Sequence, residues 1–318
     1  MKKTPCITTP IFYANAKPHI GHLYTATLAD IWKKANTLLS NKTHFISGLD
    51  EHGQKVETAA LSAGKAPQEF VNDISDEFLN FFIKFKVVPD KWIRTTDEDH
   101  KKCVQLIWKK LKEKDYIYKN KYKGWYSISE ENYLQDYDNT KIHKTDDIVW
   151  REEECYYFKL SKMQDKLLEF YKNNPNFIYP KKRYNETVSF IKQGLKDFAI
   201  SRPKERLNWG IEVPDDKAHV IYVWIDALIN YLSAIDYPKT SYLQHWPAEH
   251  IIGKDILKFH AIYFIAILLA LEIETPKRLI VHGWWLRNME KISKSKKNTL
   301  NMTYFFNKFQ SDGIRFFI

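Results

Sequence analysis

The sequence predicts an α/β fold: a parallel sheet with crossover helices, interrupted by a small inserted α+β unit. Three observations carry this reading. Short apolar runs alternate with amphipathic helical stretches in residues 1–115 and again in 207–285. The alternation breaks over 116–206, which is rich in Tyr, Lys, Asn and Glu. Apolar residues make up 44% of the 318 residues, enough to bury a large core.

Taken in order, residues 6–13 read as a buried strand. From His19 to about Leu39, Ile20, Leu23, Thr27, Ile31 and Ala35 recur near one helical face. HFISGL at 44–49 is a second strand, ending in DEHG. Helices are expected over 54–63 and 68–85, then a strand over 92–96 and a helix over 98–114. Inside the insertion, KGWYSIS and ECYYFKL look β-like, with helices over 163–173 and 185–194. Alternation resumes with HVIYVW and a helix from Asp226, then EHIIG and a helix from Asp255, then RLIVHG. The apolar run Phe259–Leu271 is too short to span a bilayer and reads as a buried helix. Residues 286–318 hold a basic loop, KISKSKKN, and a last apolar helix; the expectation is a chain cut before or within a further helical region.

The net charge is +10 and the pI about 9.1, which suits a polyanionic partner such as RNA or a nucleotide. Lysine-rich composition alone gives the same charge, so this does not decide the matter. Cys6, Cys103 and Cys155 are few, odd in number and far apart. They support neither a zinc knuckle nor a disulfide framework, and suit a reducing compartment. Strand-like sequence starts almost at once, so a cytoplasmic location is expected, with an organellar one left open.

AKPHIGHLYT at 16–25 places His19 and His22 where a strand hands over to a helix. In an open parallel sheet, ligands sit at the carboxyl ends of strands, and a helix N-terminus there suits phosphate. Two imidazoles in the first turn can donate to phosphate oxygens and stabilise charge at phosphorus. Gly21, without a Cβ, lets a base or ribose lie close, and Pro18 suits the first helical position. The plainer alternative is a pair of helix-capping histidines; zinc would need a third ligand. At the far end, Lys291 and Lys294 with Ser293 can clamp outer phosphates, or simply form a solvated basic loop. The two elements together are far rarer than either alone.

These residues resemble class I aminoacyl-tRNA synthetases. His19-Ile20-Gly21-His22 matches the HIGH motif of that family, and Lys291-Ile292-Ser293-Lys294-Ser295 resembles its KMSKS motif, with Ile for Met. TTPIFYANAKPHIGHLY, GLDEHGQKV, ISRPKERLNWGIEVPDD, VIYVWIDALINYL and GKDILKFHAIYFIAILLAL resemble blocks of the methionyl-tRNA synthetases, in the same order. The resemblance implies a doubly wound, Rossmann-like catalytic domain in two halves, 1–115 and 207–285, with a connective domain at 116–206. Residues 286–318 would hold the KMSKS-type loop and the start of a helical region.

The implied activity is ATP-dependent formation of methionyl-adenylate from L-methionine, with release of pyrophosphate, and transfer to the 3′-terminal adenosine of tRNA(Met). His19, His22, Lys291 and Lys294 would be catalytic. Gly21, Gly253, Asp255, His282, Trp284, Trp285 and Ser293 would join them around ATP. Phe12, Tyr13, Asp50, Trp224, Ala227, Leu228, Tyr231 and His260 would hold methionine, with Asp50 taking its ammonium group. An apolar slot with aromatic edges suits a thioether, although Trp224 and Tyr231 could also be core residues; Ile256 and the run after His260 read as core packing. Mg²⁺ would arrive on the phosphates without a dedicated protein cage. The insertion is too small for a hydrolytic editing domain. Ser127 and Ser129 stand where zinc-binding members carry paired cysteines, so a zinc-free subgroup with no structural zinc is expected. A monomer with no membrane association is expected. The alternatives are another class I synthetase, a small nucleotidyltransferase with an HxGH element, or a non-catalytic synthetase-like RNA-binding or scaffold protein.

Overall fold

A computed structural model describes residues 3–39, 42–127, 132–133, 148–287, 290–291 and 300–318. The first strand expected over 6–13 is two pieces, β1 (Cys6–Thr8) and β2 (Phe12–Tyr13). Pro10, between them, has no N–H to give a ladder. Helix α1 (Ile20–Leu38) leads to β3 (His44–Asp50), which pairs in parallel with both pieces: Cys6 lies opposite His44 and Tyr13 opposite Asp50. Then come α2 (Gln54–Ser62), α3 (Pro67–Lys84), β4 (Lys91–Arg94) on the other side of β3, and α4 (Glu98–Glu113). On α1 the buried stripe runs through Ile20, Leu23, Ala26, Thr27 and Asp30. Ile31 and Ala35, expected on that face, are exposed, because the buried stripe ends at Asp30 and its ion pairs with Lys34 and Arg315.

The inserted region is built on an antiparallel ladder between β5 (Ile117–Ser127) and β7 (Ile148–Phe158), with β6 (Asn132–Tyr133) along β5. Helix α5 (Gln164–Asn173) follows. Strand β8 (Ile178–Tyr179) leaves the insertion and joins the main sheet. Helix α6 (Lys181–Lys192) starts four residues before the expected 185, directly after Pro180. Strand β9 (Phe198–Ala199) then pairs with β7.

HVIYVW is not a strand of the main sheet. β10 (Ser201–Pro203), β11 (Glu212–Val213) and β12 (Asp216–Ile221) form a small antiparallel sheet. Helix α7 (Val223–Ser233) starts three residues before Asp226, since the Tyr222 carbonyl already accepts from the Ile225 and Asp226 N–H groups. Trp224 therefore stands in its first turn.

Strand β13 (Glu249–Gly253) pairs with β1. The helix expected from Asp255 opens as a 3₁₀ turn, Lys254–Ile256. It continues as a π-helix, Phe259–Phe264, and ends as α8 (Ile265–Ala270), with nearly the whole apolar run buried. Strand β14 (Arg278–His282) precedes the short pair β15 (Leu286–Arg287) and β16 (Glu290–Lys291). Helix α9 (Met302–Phe317), kinked at Gln310, closes the chain.

The main sheet is parallel, in the order β4, β3, β1 with β2, β13, β14, β8. Consecutive strand residues enter opposite cores: Cys6, Ile46 and Ile252 on one side, Ile7, Phe45 and Ile251 on the other. This is the period of two expected of strands buried on both faces. From β1 the chain winds outward through β3 to β4, then returns to the opposite side of β1 at β13. That reversal opens a crevice at the carboxyl ends of β1 and β13. Among the described residues no helix is long and apolar enough to cross a membrane.

Candidate active site

The crevice is a cavity of about 710 Å³, within the size range of small-molecule sites. Its first wall is the start of α1. His19 is the N-cap, in an extended conformation, and its Nδ1 accepts from the Gly21 N–H at 3.0 Å. The His19 N–H in turn donates to His22 Nδ1 at 3.1 Å. This is a capping box made of two histidines. With both Nδ1 atoms accepting from backbone, each neutral ring carries its proton on Nε2. The rings stack with centroids 3.8 Å apart, and Phe12 and Phe78 pack on His22. Pro18 stands one residue before the cap, not at the first helical position, because His19 occupies the cap. Gly21 has a local reason to be glycine: a Cβ there would lie 2.9 Å from His19 Cε1 and 3.1 Å from Nδ1.

The second wall comes from β13 and β14. Gly253, Asp255, His282, Trp284 and Trp285 all border the cavity. His282 Nδ1 lies 2.7 Å from the Gly283 carbonyl, and its Nε2 lies 2.9 Å from the Thr25 hydroxyl. With Nδ1–H donating, Nε2 accepts from Thr25. Burial pulls this imidazole below its ordinary pKa, so it stays neutral and ties β14 to α1. Tyr24 packs edge-on against His282 and Trp285, and the Lys254 ammonium sits 3.6 Å from the centroid of the Trp284 ring.

The third wall is an aromatic slot. Trp224 stacks on Phe259 at 3.6 Å, nearly parallel. Ala227, Leu228 and Tyr231, one face of α7, continue it, and His260 closes it. His260 Nδ1–H donates to the Ile256 carbonyl at 2.9 Å, leaving Nε2 to accept from the Tyr231 hydroxyl at 2.7 Å. Burial lowers His260 to about 4 and pushes the Tyr231 phenol up, so both groups are neutral near pH 7. Asp50, buried at the end of β3, lines the same cavity beside Tyr13.

One cavity thus brings together the predicted positions His19, Gly21, His22, Gly253, Asp255, His282, Trp284, Trp285, Phe12, Tyr13, Asp50, Trp224, Ala227, Leu228, Tyr231 and His260. The Lys291 backbone is in β16; Ser293 and Lys294 lie outside the described residues. Ile256 borders the cavity as well as packing on the core, a correction to its reading as core alone. Ile11, Asn15, Tyr24, Thr25, Lys55 and Asn230 also line it and were missed. Ile11, Asn15, Tyr24, Lys55 and Asn230 lie inside the quoted sequence blocks, which was the available signal. Thr25 directly follows one. Lys55 reaches back over the Tyr13 ring at 5.7 Å.

Among the described residues no group of three or more His, Cys, Asp or Glu could hold a metal ion. The three cysteines are buried and free; burial raises Cys103 and Cys155 to about 12 and Cys6 further. Ser127 ends β5, while Ser129 lies outside the described residues.

The family described as tRNA synthetases class I (M) matches residues 5–146 and 137–318. A methionine–tRNA ligase of Rickettsia bellii is 46% identical over all of this chain, which spans 63% of its length. One from Thermotoga maritima is 41% identical over 98% of this chain and 51% of its own. A solved Mycobacterium tuberculosis methionyl-tRNA synthetase in complex with methionyl-adenylate superposes with a TM-score of 0.93. It is 37% identical and covers 99% of this chain and 64% of its own. The chain therefore spans less than two thirds of each relative's length.

Proposed function

The chain belongs to the class I tRNA synthetases (M), and from that premise we propose that it works as a methionine–tRNA ligase. It would make methionyl-adenylate from L-methionine and ATP and pass the methionyl group to the 3′-terminal adenosine of tRNA(Met). The observation that carries this reading is the junction of two unlike walls in one cavity. A helix N-terminus bearing two imidazoles, each with its proton on Nε2, shares one cavity with an aromatic slot and a buried carboxylate.

The chemistry follows from those groups. The thioether side chain enters between Trp224, Ala227, Leu228, Tyr231 and His260, where polarizable sulfur meets aromatic edges. Asp50 takes the ammonium as a charge-assisted partner. The substrate carboxylate is left toward α1. Its oxygen attacks the α-phosphorus of ATP, and the bond from that phosphorus to the pyrophosphate oxygen breaks. Nε2–H of His19 and His22, with the helix dipole behind them, stabilise the charge gathering on the α-phosphate oxygens. Gly253, Asp255, His282, Trp284 and Trp285 border the adenosine. Lys291, Ser293 and Lys294 would hold the outgoing pyrophosphate, a role that rests on the KMSKS resemblance. Mg²⁺ would come in on the phosphates and neutralise part of their charge. Working as a monomer in the cytoplasm is the simplest setting for this reading, although relatives include a mitochondrial one from Neurospora crassa.

The test is ATP–pyrophosphate exchange run with each proteinogenic amino acid in turn. Exchange with methionine alone supports the reading. Exchange with another amino acid would keep the phosphate chemistry and overturn the slot, and none at all would favour a non-catalytic RNA-binding or scaffold role.

A further inference from the structure

Behind the aromatic slot lies a charged cluster for which the proposed chemistry has no use. The Asp226 carboxylate is fully buried between two imidazoles. His52 Nδ1 lies 2.7 Å from Oδ2, and His100 Nε2 lies 2.6 Å from Oδ1. The far nitrogen of His100 lies 2.7 Å from the Ser233 hydroxyl. His52 and His100 are also buried. The cluster stands behind the cavity wall, not on it.

Its members come from three elements, of which α7 forms the slot itself. His52 is in the turn after β3, two residues past Asp50. His100 is in the first turn of α4. Asp226 and Ser233 are on α7. At roughly 100° per residue, Asp226 and Ser233 project from the side of α7 opposite Trp224, Ala227, Leu228 and Tyr231. The back of the helix is therefore held by ionic hydrogen bonds while its front forms the slot. Rotating or sliding α7 would break both bonds at once. The turn carrying His52 is itself fixed: the Trp209 indole N–H donates to the Glu51 carbonyl, and Arg94 and Thr96 donate to the Glu51 carboxylate.

We infer that Asp226 is a positioning residue. Held by His52 and His100, it fixes the rotation of α7 against the end of β3. It thereby sets the spacing between the Asp50 carboxylate, proposed to take the ammonium group, and the aromatic wall proposed to take the side chain. This rests on the methionine reading of the cavity. A clamp of this kind acts on the amino acid and not on the nucleotide, because the walls made by α1, β13 and β14 do not depend on it.

The test compares Asp226→Ala with Asp226→Asn in methionine-dependent exchange, with methionine binding measured by calorimetry. An amide can still accept from one imidazole and donate to the other once that ring shifts its proton, so Asp226→Asn keeps the bridge. The expected result is a KM for methionine raised tenfold or more in Asp226→Ala, with KM for ATP within twofold, and recovery to within threefold in Asp226→Asn. Preference for methionine over norleucine should narrow in the alanine variant alone. If Asp226→Ala does not fold, His100→Gln shifts one arm of the bridge and should raise KM for methionine at least threefold with KM for ATP unchanged. Equal rises in both KM values, or an unchanged KM for methionine in a folded variant, would overturn the clamp while leaving the methionine reading intact. Wild-type protein that neither exchanges with nor binds methionine would overturn both.

Discussion

The imidazoles of His19 and His22 lie stacked 3.8 Å apart, and each accepts a backbone N–H at its Nδ1. Capping is thus compatible with the proposed role at phosphate. Holding the Nδ1 atoms on the helix start is what puts a proton on each Nε2. A test can separate the two roles at His19. Asparagine is a good N-cap, whereas alanine is not, and losing a cap costs about 1 kcal/mol. His19→Asn should keep thermal stability near wild type, and His19→Ala should lower it. Both should lose exchange activity by roughly 100-fold, since neither presents a donor where Nε2 stood. Full activity in His19→Asn would mean that His19 is a cap and nothing more.

Phe259 supports Trp224 by stacking on it at 3.6 Å. Aromatic pairs contribute about 0.5–1.5 kcal/mol beyond their buried area. Phe259→Ala should therefore raise KM for methionine about tenfold and leave KM for ATP nearly unchanged. A parallel rise in both would show that the ring supports the whole cavity and not the slot.

That the start of α1 and the aromatic slot line one cavity accords with the sequence because their residues fall in short contiguous blocks. His19 to His22 needs no tertiary information to be read as a helix start, and the apolar run from Phe259 is buried by composition alone. What could not be read depends on partners distant in the chain. Ile31 has the right spacing for a buried face, yet Asp30 ends that face by pairing with Arg315, 285 positions later. HVIYVW has a strand's pattern, but nothing in it says that β12 pairs with β10 and β11 and stays out of the parallel sheet. Residues 178–179 sit inside a region whose composition differs from the rest, and only their pairing with β14 assigns them to the main sheet. The Asp226 cluster combines residues from three separate blocks, each ordinary by itself.

A buried and a half-buried histidine predict how stability follows pH. Burial lowers His260 to about 4, and burial with the neighbouring His245 lowers His44 to about 4. In the unfolded chain an imidazole takes its proton near pH 6.5. Between 6.5 and about 4 the unfolded state therefore binds more protons, and stability rises with pH. The contribution is complete above pH 6.5 and is lost as pH falls toward 4, by up to about 1.4 kcal/mol per pH unit for each group. Urea midpoints should fall from pH 7.5 to pH 5 with an unchanged slope m, and His44→Gln should flatten the trend. A midpoint independent of pH over that range would show that these rings protonate in the folded state as readily as in the unfolded one.

The Asp30–Arg315 pair predicts a stability effect at the end of the chain. The Asp30 side chain is 3% exposed, with Arg315 Nη2 at 2.5 Å and Lys34 Nζ at 2.7 Å. Arg315 Nη1 also donates to the Phe85 carbonyl at 3.3 Å, past the end of α3, so one guanidinium joins α9 to both α1 and α3. Arg315→Met would leave a buried carboxylate with only Lys34, whose side chain is 56% exposed. Removing one partner of a buried ion pair costs about 3–5 kcal/mol, because the other charge is left uncompensated. Urea unfolding of Arg315→Met should show a loss of that size. The double variant with Asp30→Asn should recover part of it, since an amide is far less costly to bury alone than a carboxylate. A double variant no more stable than the single would place the cost in lost packing of the Arg315 stem, and not in the stranded charge.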